Sequence, residues 1–391
     1  MERLFLLLYS VTVGIFYSMA LPFLALFSLK AKYKDAIPAR FFLWNNRPLK
    51  KAGIWFHVCS FGEAKAIAPI VEMFPNEMLR MTATTHTGFE AVSSYTSQSR
   101  YLPFEPLLFW WVKPQKALVV MEAEFWYLLF ALAKKRGAKT FLINARMSER
   151  SFPKYLKMAW FYRHIFKQID EIYAQSQTDK ERLELLGAKN IKVTGNIKLA
   201  KLPLPTAWLK KPSSMVVCAA SIHEGEEILV FEAYLALKKE EPDAVLILAP
   251  RHPERFEKVT RMAEVFAQEQ QFICQRYSQN RVMQSDIIVL DTLGELVNIY
   301  AISDIVILGG AFEPLGGHNA AEAAQFGCKI ISGKYYFNQK DIFDAIEGIA
   351  VVEASALSKK VLQHTHLKPT KIKSKTDLTP ILESLNNVLS N

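Results

Sequence analysis

The sequence predicts an α/β protein in which two doubly wound, Rossmann-like domains follow an apolar N-terminal helix. Three observations carry that reading. Short apolar runs rich in β-branched residues alternate with helix-length stretches, the rhythm of a parallel sheet covered on both faces. A proline-rich interruption falls near the middle of 391 residues, a length that allows two cores. Residues 4–29 contain no charged side chain, a run long enough to cross a bilayer.

Taken in order, residues 1–29 read as a retained membrane anchor, because the run lacks a short apolar core followed by a small-residue cleavage site. The connector 30–52 carries Lys30, Lys32, Lys34, Arg40, Arg47, Lys50 and Lys51 against Asp35 alone. Cations flanking an apolar helix keep the downstream chain in the cytoplasm, beside anionic headgroups. A helix lying in the interface is the alternative that Pro22 leaves open.

The first domain, 53–200, alternates strands at 53–60, 78–84, 117–121, 140–144, 171–175 and 191–194 with helices at 62–74, from 88, and at 125–135, 151–166 and 178–186. The linker 201–213 contains Pro203, Pro205 and Pro212 and has no clean periodicity. The second domain, 214–391, has strands at 215–220, 244–249, 272–276, 287–290, 304–308 and 329–332. Helices at 223–239, 253–268, 293–301 and 319–326 lie between or after them, and the lysine-rich stretch 359–375 reads as solvated surface. Ligands of such sheets bind beyond the carboxyl ends of the strands, so the strand-to-helix turns of both domains, facing a cleft, form the candidate site.

Composition narrows the partners. Half the residues are hydrophobic and the formal charge is +10, which calls for an anionic partner. Cys59, Cys218, Cys274 and Cys328 are far apart, so neither a disulfide framework nor a zinc knuckle is indicated. There is no HExxH and no Asp-x-Asp, so no metal site is expected. Aromatic and basic residues do not interleave as in nucleic-acid-binding modules, which removes nucleic acid as a partner.

The turns hold the chemistry. Residues 309–322, GGAFEPLGGHNAAE, follow a buried strand and open a helix. The glycine pairs, Gly316 and Gly317 among them, let backbone approach a ligand, and the helix start suits a phosphate. Asn319 and Glu322 lie one turn apart, placed for a pair of sugar hydroxyls. In the first domain Ser60-Phe61-Gly62-Glu63 sits where the first strand becomes a helix. Glu63 is compatible with two roles there, a general base raised by burial or a first-turn acid facing the helix dipole. Thr85, His86, Thr87 and Gly88 offer hydroxyls and a glycine after the second strand, and Glu122 and Glu124 end the strand at 117–121. In the second domain Ser221-Ile222-His223, the pair Arg251-His252 and Leu293-Gly294-Glu295 form three more corners. Arg251 can fork onto a phosphate, and Gly294 admits close backbone contact with a base.

These motifs in this order resemble the bacterial Kdo transferases of lipopolysaccharide synthesis, which move 3-deoxy-D-manno-octulosonic acid (Kdo) from its CMP ester to a lipid A precursor. The likeness rests on SFGE at 60–63, THTG at 85–88, YLPFE at 101–105, MEAEFW at 121–126, NARMSERS at 144–151 and GNIK at 195–198. It continues through SIHEGEE at 221–227, APRHPERF at 249–256, DTLGEL at 291–296 and the glycine-rich stretch, and it covers nearly the whole chain. The resemblance implies a GT-B glycosyltransferase, acceptor domain first and CMP-Kdo domain second, working without a metal or cofactor and inverting the anomeric carbon. It implies Glu63 as general base, with Lys198 and either Glu122 or Glu124 stabilising the transition state. Ser60, Gly62, Thr85, Thr87 and Gly88 would meet the acceptor. Arg251 and His252 would hold the CMP phosphate, Leu293, Gly294 and Glu295 the nucleotide, Asn319 and Glu322 the ribose, and Ser221, Gly316, Gly317 and His318 would also line the donor site. Phe61, His86 and Ala323 depart from the family pattern, beside the implied contacts. The implied partners are CMP-Kdo, the lipid A precursor and the inner-membrane surface on its cytoplasmic face. Another nucleotide-sugar enzyme, using UDP, is the nearest alternative, followed by a non-catalytic membrane-tethered protein.

Overall fold

The computed structural model describes residues 2–30, 33–373 and 376–390. Lys32 of the basic connector, Lys375 of the lysine-rich stretch, and the expected ends Met1 and Asn391 lie outside the described residues. The chain forms two compact units, 1–201 with 376–391, and 202–375.

Unit 1 is built on a seven-stranded parallel sheet in the order β3-β2-β1-β4-β5-β6-β7. Its strands are β1 Ile54–Val58, β2 Leu79–Ala83, β3 Ser99–Tyr101, β4 Ala117–Met121, β5 Lys139–Ala145, β6 Glu171–Ala174 and β7 Ile191–Val193. β1, β2 and β4 are buried at every position. Helices on both faces of a parallel sheet impose this, and it is why IWFHV and ALVVM read as continuous apolar runs. Short β3 escaped the sequence reading because Ser99-Arg100-Tyr101 carries no apolar period.

The N-terminal helix Glu2–Ser28 is long and apolar enough to cross a membrane by length and composition. One flank rests on unit 1. Phe5, Leu6 and Tyr9 pack on the core beneath, the Tyr9 hydroxyl donates to Glu105, Lys167 pairs with Glu2 at 2.9 Å, and the Tyr17 hydroxyl donates to the Phe41 carbonyl. The other flank presents Leu4, Leu8, Val11, Ile15, Phe16 and Met19, each more than half exposed.

The C-terminal helix Thr379–Ser390 belongs to unit 1, which corrects the expected boundary of 214–391. Ile381 and Leu385 are buried against a core that includes Phe141, Ile143 and Tyr173, and the Lys116 ammonium donates to the Leu389 carbonyl at 3.1 Å. Its amphipathic stripe is legible in the sequence, but which sheet it covers is not.

Unit 2 repeats the plan with β8 Val216–Ile222, β9 Val245–Pro250, β10 Cys274–Arg276, β11 Ile287–Val289, β12 Ile305–Leu308, β13 Lys329–Gly333, β14 Ile346–Glu347, β15 Ala350–Val352 and β16 Lys371–Ile372. The main parallel sheet runs β10-β11-β9-β8-β12-β13-β15, and β14 pairs antiparallel with β16. In both units the order of connections reverses at one place, between β1 and β4 in the first and between β8 and β12 in the second. A crevice opens at the carboxyl ends of strands at such a point.

Candidate active site

In unit 1 the reversal point carries the carboxylates. The Ser60 hydroxyl accepts from the Glu63 N–H at 3.4 Å, and the Glu63 carboxylate reaches back to the Cys59 N–H at 2.8 Å and the Ser60 hydroxyl at 3.2 Å. This variant of the capping box fixes where the β1 turn becomes a helix. Burial pushes the Glu63 carboxyl up to about 7, the Cys59 N–H opposes it, and the negative charges of Glu122 and Glu124 add to the rise. Gly62 is exposed, and a Cβ there would meet only the Ser60 hydroxyl, at 3.9 Å.

Glu122 and Glu124 follow β4 with different partners. Glu122 stands in the left-handed region at φ 55°, a strain of ~1–2 kcal/mol for a residue with a Cβ. It pairs with the Lys198 ammonium at 3.0 Å and with Arg146 at 3.5 Å, and Asn144 donates to it at 3.4 Å. Glu124 accepts from the Trp126 indole at 2.6 Å and faces the buried His57 at 3.8 Å. Burial works to raise the Glu124 carboxyl, but His57, Trp126 and Cys59 together hold it below the usual range. Glu122 and Lys198, distant in sequence, therefore form one ion pair, while Glu124 is kept ionised by a separate set of donors.

The turn after β2 packs on the same corner. The Thr85 hydroxyl donates to the Cys59 carbonyl at 2.8 Å and accepts from the Gly88 N–H at 3.2 Å. A Cβ on Gly88 would lie 2.9 Å from that hydroxyl and 3.0 Å from the Cys59 carbonyl, so glycine is required here by protein packing. Thr87 is exposed, and His86 bonds the Tyr101 hydroxyl at 2.7 Å.

In unit 2 the reversal point gathers histidines and arginine. Ser221, one residue before the end of β8, stands in the left-handed region at φ 55°. His223 comes two residues later, its Nε2 2.8 Å from the Nε2 of His318, and the His252 ring stands edge-on with centroids 5.4 Å apart. Arg251 and His252 are exposed. Beneath them Glu226 is fully buried, accepting from the His223 and Gly310 N–H groups at 2.9 Å and the Phe312 N–H at 3.3 Å. Glu227, also buried, pairs with Arg255 at 2.6 Å.

One expectation for the glycine-rich stretch is corrected. The helix is one turn, Ala321–Ala324, rather than 319–326, so it adds little dipole toward an anion. Its start is taken by Asn319, whose side-chain oxygen accepts from the Ala321 N–H at 2.9 Å. The glycines also have close protein neighbours. A Cβ on Gly316 would fall 2.0 Å from the Asn338 amide, and one on Gly317 would fall 3.0 Å from Tyr336. Glu322 is half-buried, and burial raises its carboxyl. Leu293 and Gly294 are exposed, whereas the Glu295 carboxylate is held by Asn298 at 2.6 Å, Tyr277 at 3.3 Å and Arg281 at 3.4 Å.

Among known proteins, the family described as 3-deoxy-D-manno-octulosonic-acid transferase (kdotransferase) matches residues 35–201. The 3-deoxy-D-manno-octulosonic acid transferase of Haemophilus influenzae is 32% identical over 85% of this chain and 84% of its own length. The chain belongs to the Kdo transferase family. That makes it a glycosyltransferase, and other relatives of the same name agree, from Bordetella pertussis at 31% over 78% of this chain and 76% of theirs, and from Rickettsia bellii at 30% over 78% and 77%. Among solved structures, the C-terminal CMP-Kdo binding domain of WaaA from Acinetobacter baumannii aligns with 45% of this chain and 88% of its own at 26% identity and a TM-score of 0.35. A glycosyltransferase from Rickettsia africae aligns over 88% and 94% at 15% identity and a TM-score of 0.44.

The sequence alone assigns no role to His57, Asn144, Arg146, His223 or Glu226, although the last four lie inside the motifs that carry the family likeness. Asn144 does carry a signal. It is polar at the end of a buried strand, and its side-chain oxygen holds the Ile197 N–H at 2.9 Å, which brings the Lys198 turn to Glu122.

Proposed function

We infer that this Kdo transferase moves Kdo from CMP-Kdo to a lipid A precursor, lipid IVA, by a metal-independent displacement that inverts the anomeric carbon. The observation that carries the reading is Glu63, a carboxylate raised to about 7 at the reversal point of the first sheet, with Glu122, Glu124 and Lys198 around it. A base with that value is half deprotonated near neutral pH and strong enough to take a hydroxyl proton as the bond forms.

In this mechanism the acceptor hydroxyl lies over Ser60, Gly62 and the Thr85–Thr87–Gly88 turn. Glu63 takes its proton as the oxygen attacks the anomeric carbon of Kdo, and the bond from that carbon to the phosphate oxygen breaks with its electron pair going to CMP. Lys198, oriented by Glu122, meets charge developing at the reacting centre. Arg251, His252 and the Ser221 turn meet the leaving phosphate, supplying the charge neutralisation that other transferases take from a divalent ion. Glu322 and the amide of Asn319 hold the ribose, and Leu293, Gly294 and the Glu295 backbone border the base. Gly316, Gly317 and His318 shape the donor pocket. Transfer requires the two units to bring these sites together, for which the GT-B arrangement is the one we propose.

The bilayer is met by the outer flank of the N-terminal helix and by Lys30 and Lys34, on the cytoplasmic face of the inner membrane. Incubation with CMP-Kdo and tetraacylated lipid A precursor, read by mass, tests the whole reading. A product heavier by one or more Kdo residues is expected, with CMP binding more tightly than UDP in calorimetry. No mass gain, or preference for UDP, refutes it.

A further inference from the structure

The two imidazoles of His223 and His318 meet Nε2 to Nε2 at 2.8 Å, with ring planes 10° apart. At that separation one nitrogen carries a hydrogen and the other offers its lone pair, because two N–H groups cannot face each other across 2.8 Å. The pair therefore has two states in contact, neutral with one bridging proton, or singly charged with one further proton on the outer Nδ1 of the donor ring. A doubly charged pair would have to separate.

The surroundings set which state is populated. His252 stands edge-on to His223, Arg251 and Arg255 add positive charge, and the Gly310 turn closes against both rings, a Cβ there lying 2.8 Å from His318 and 3.4 Å from His223. The neighbouring carboxylates are committed elsewhere. Glu226 takes three backbone N–H groups, Glu227 takes Arg255, Glu254 faces His252 at 3.8 Å, and Glu224 takes Lys258. Among the described residues no hydrogen bond or ion pair joins an acid to either ring or to the Arg251 guanidinium. Burial, with His223, Arg251 and His252 beside it, pushes the His318 imidazole down to about 4, and burial, His252, Arg251 and Arg255 lower His223 against a smaller opposing effect of Glu227.

We propose that the His223–His318 pair is a one-proton anion receptor: it is neutral when empty and takes up a single proton when a phosphate ester binds beside it. His223 thereby joins Arg251 and His252 as a donor-binding residue. The inference rests on the donor-site reading and deepens it. No bond between heavy atoms is made or broken in the step. A proton passes from solvent to an imidazole Nδ1, and the anion supplies the charge that Arg251 and His252 otherwise make unfavourable. Affinity for a phosphorylated ligand then falls as pH rises from the midpoint of the free pair to the midpoint of the bound pair, and release of CMP returns the proton.

The test is a histidine-labelled NMR titration of the full chain in detergent from pH 4 to 8, with the two rings identified from His223→Gln and His318→Gln. The free protein should show both rings moving together with a single midpoint below the ordinary histidine range. Saturating CMP or inorganic phosphate should raise that midpoint by about one pH unit or more, which corresponds to at least tenfold tighter binding to the protonated pair. Cytidine, which lacks the phosphate, should leave it in place. Two independent midpoints, or CMP binding with no change of midpoint, overturns the receptor while leaving the donor reading intact. A shift with inorganic phosphate but no binding of CMP keeps the receptor and overturns the donor reading. Loss of the joint titration in His223→Gln, with His318 then titrating alone and nearer its ordinary value, is the further expected result, and an unchanged His318 refutes the shared proton.

Discussion

Replacing Glu63 by glutamine separates a catalytic base from a structural acid, because the two roles predict opposite signs in stability and activity. Glutamine keeps the length of the side chain and an oxygen to accept from the Cys59 N–H at 2.8 Å, and it removes the charge that burial disfavours. The carboxyl rises from 4.5 to about 7 on folding, so between those values the folded protein holds the proton that the unfolded chain has released. Stability is thus lost as pH rises through that window and is fully present below it. At ~1.4 kcal/mol per pH unit the full loss is at most ~3.5 kcal/mol, and the variant escapes it. Thermal unfolding of unit 1 should therefore rise by roughly 6–10 °C at pH 8 and stay unchanged at pH 4. Transfer should fall by about 10²–10⁴-fold in the same protein, and the wild-type rate should climb with pH through about 7. Equal shifts in melting temperature at pH 4 and pH 8 would refute the buried-charge reasoning, and retained transfer would refute the base.

Lys198→Ala breaks the 3.0 Å pair with Glu122; unfolding free energy should move by less than ~1 kcal/mol while transfer falls about a hundredfold, and a normal rate would exclude Lys198 from the reaction. Gly88→Ala forces a Cβ to within 3.0 Å of the Cys59 carbonyl, and urea unfolding should register a loss of ~1–3 kcal/mol. Glu226→Ala leaves the His223, Gly310 and Phe312 N–H groups without their acceptor; a loss of ~3 kcal/mol or more in unit 2 is expected, with weaker CMP binding by calorimetry. Charge reversal at Lys30 and Lys34 should reduce binding to anionic vesicles about tenfold or more at low salt, and unchanged partition would free the connector of any role at the bilayer.

Much of this molecule was legible in its residues. Continuous apolar strands such as IWFHV and ALVVM announce a parallel sheet because burial on both faces leaves no room for alternation. Ser60 three residues before Glu63, and Ser176 three before Asp179, mark helix starts by local hydrogen bonding alone. The candidate turns came from strand ends, because an open sheet exposes its carboxyl edge wherever its connections reverse. What local signals could not supply were distances between turns remote in sequence. Lys198 meets Glu122 because Asn144 on a third strand holds the intervening turn, and the C-terminal helix joins the first sheet although the whole of unit 2, residues 202–375, precedes it. The glycines at 316 and 317 read as open backbone in one dimension and gain Asn338 and Tyr336 as close neighbours in three. Short-range chemistry thus determined the elements and the residue types at their ends, while the pairing of charges depended on packing between distant segments, whose energy no stretch of sequence contains by itself.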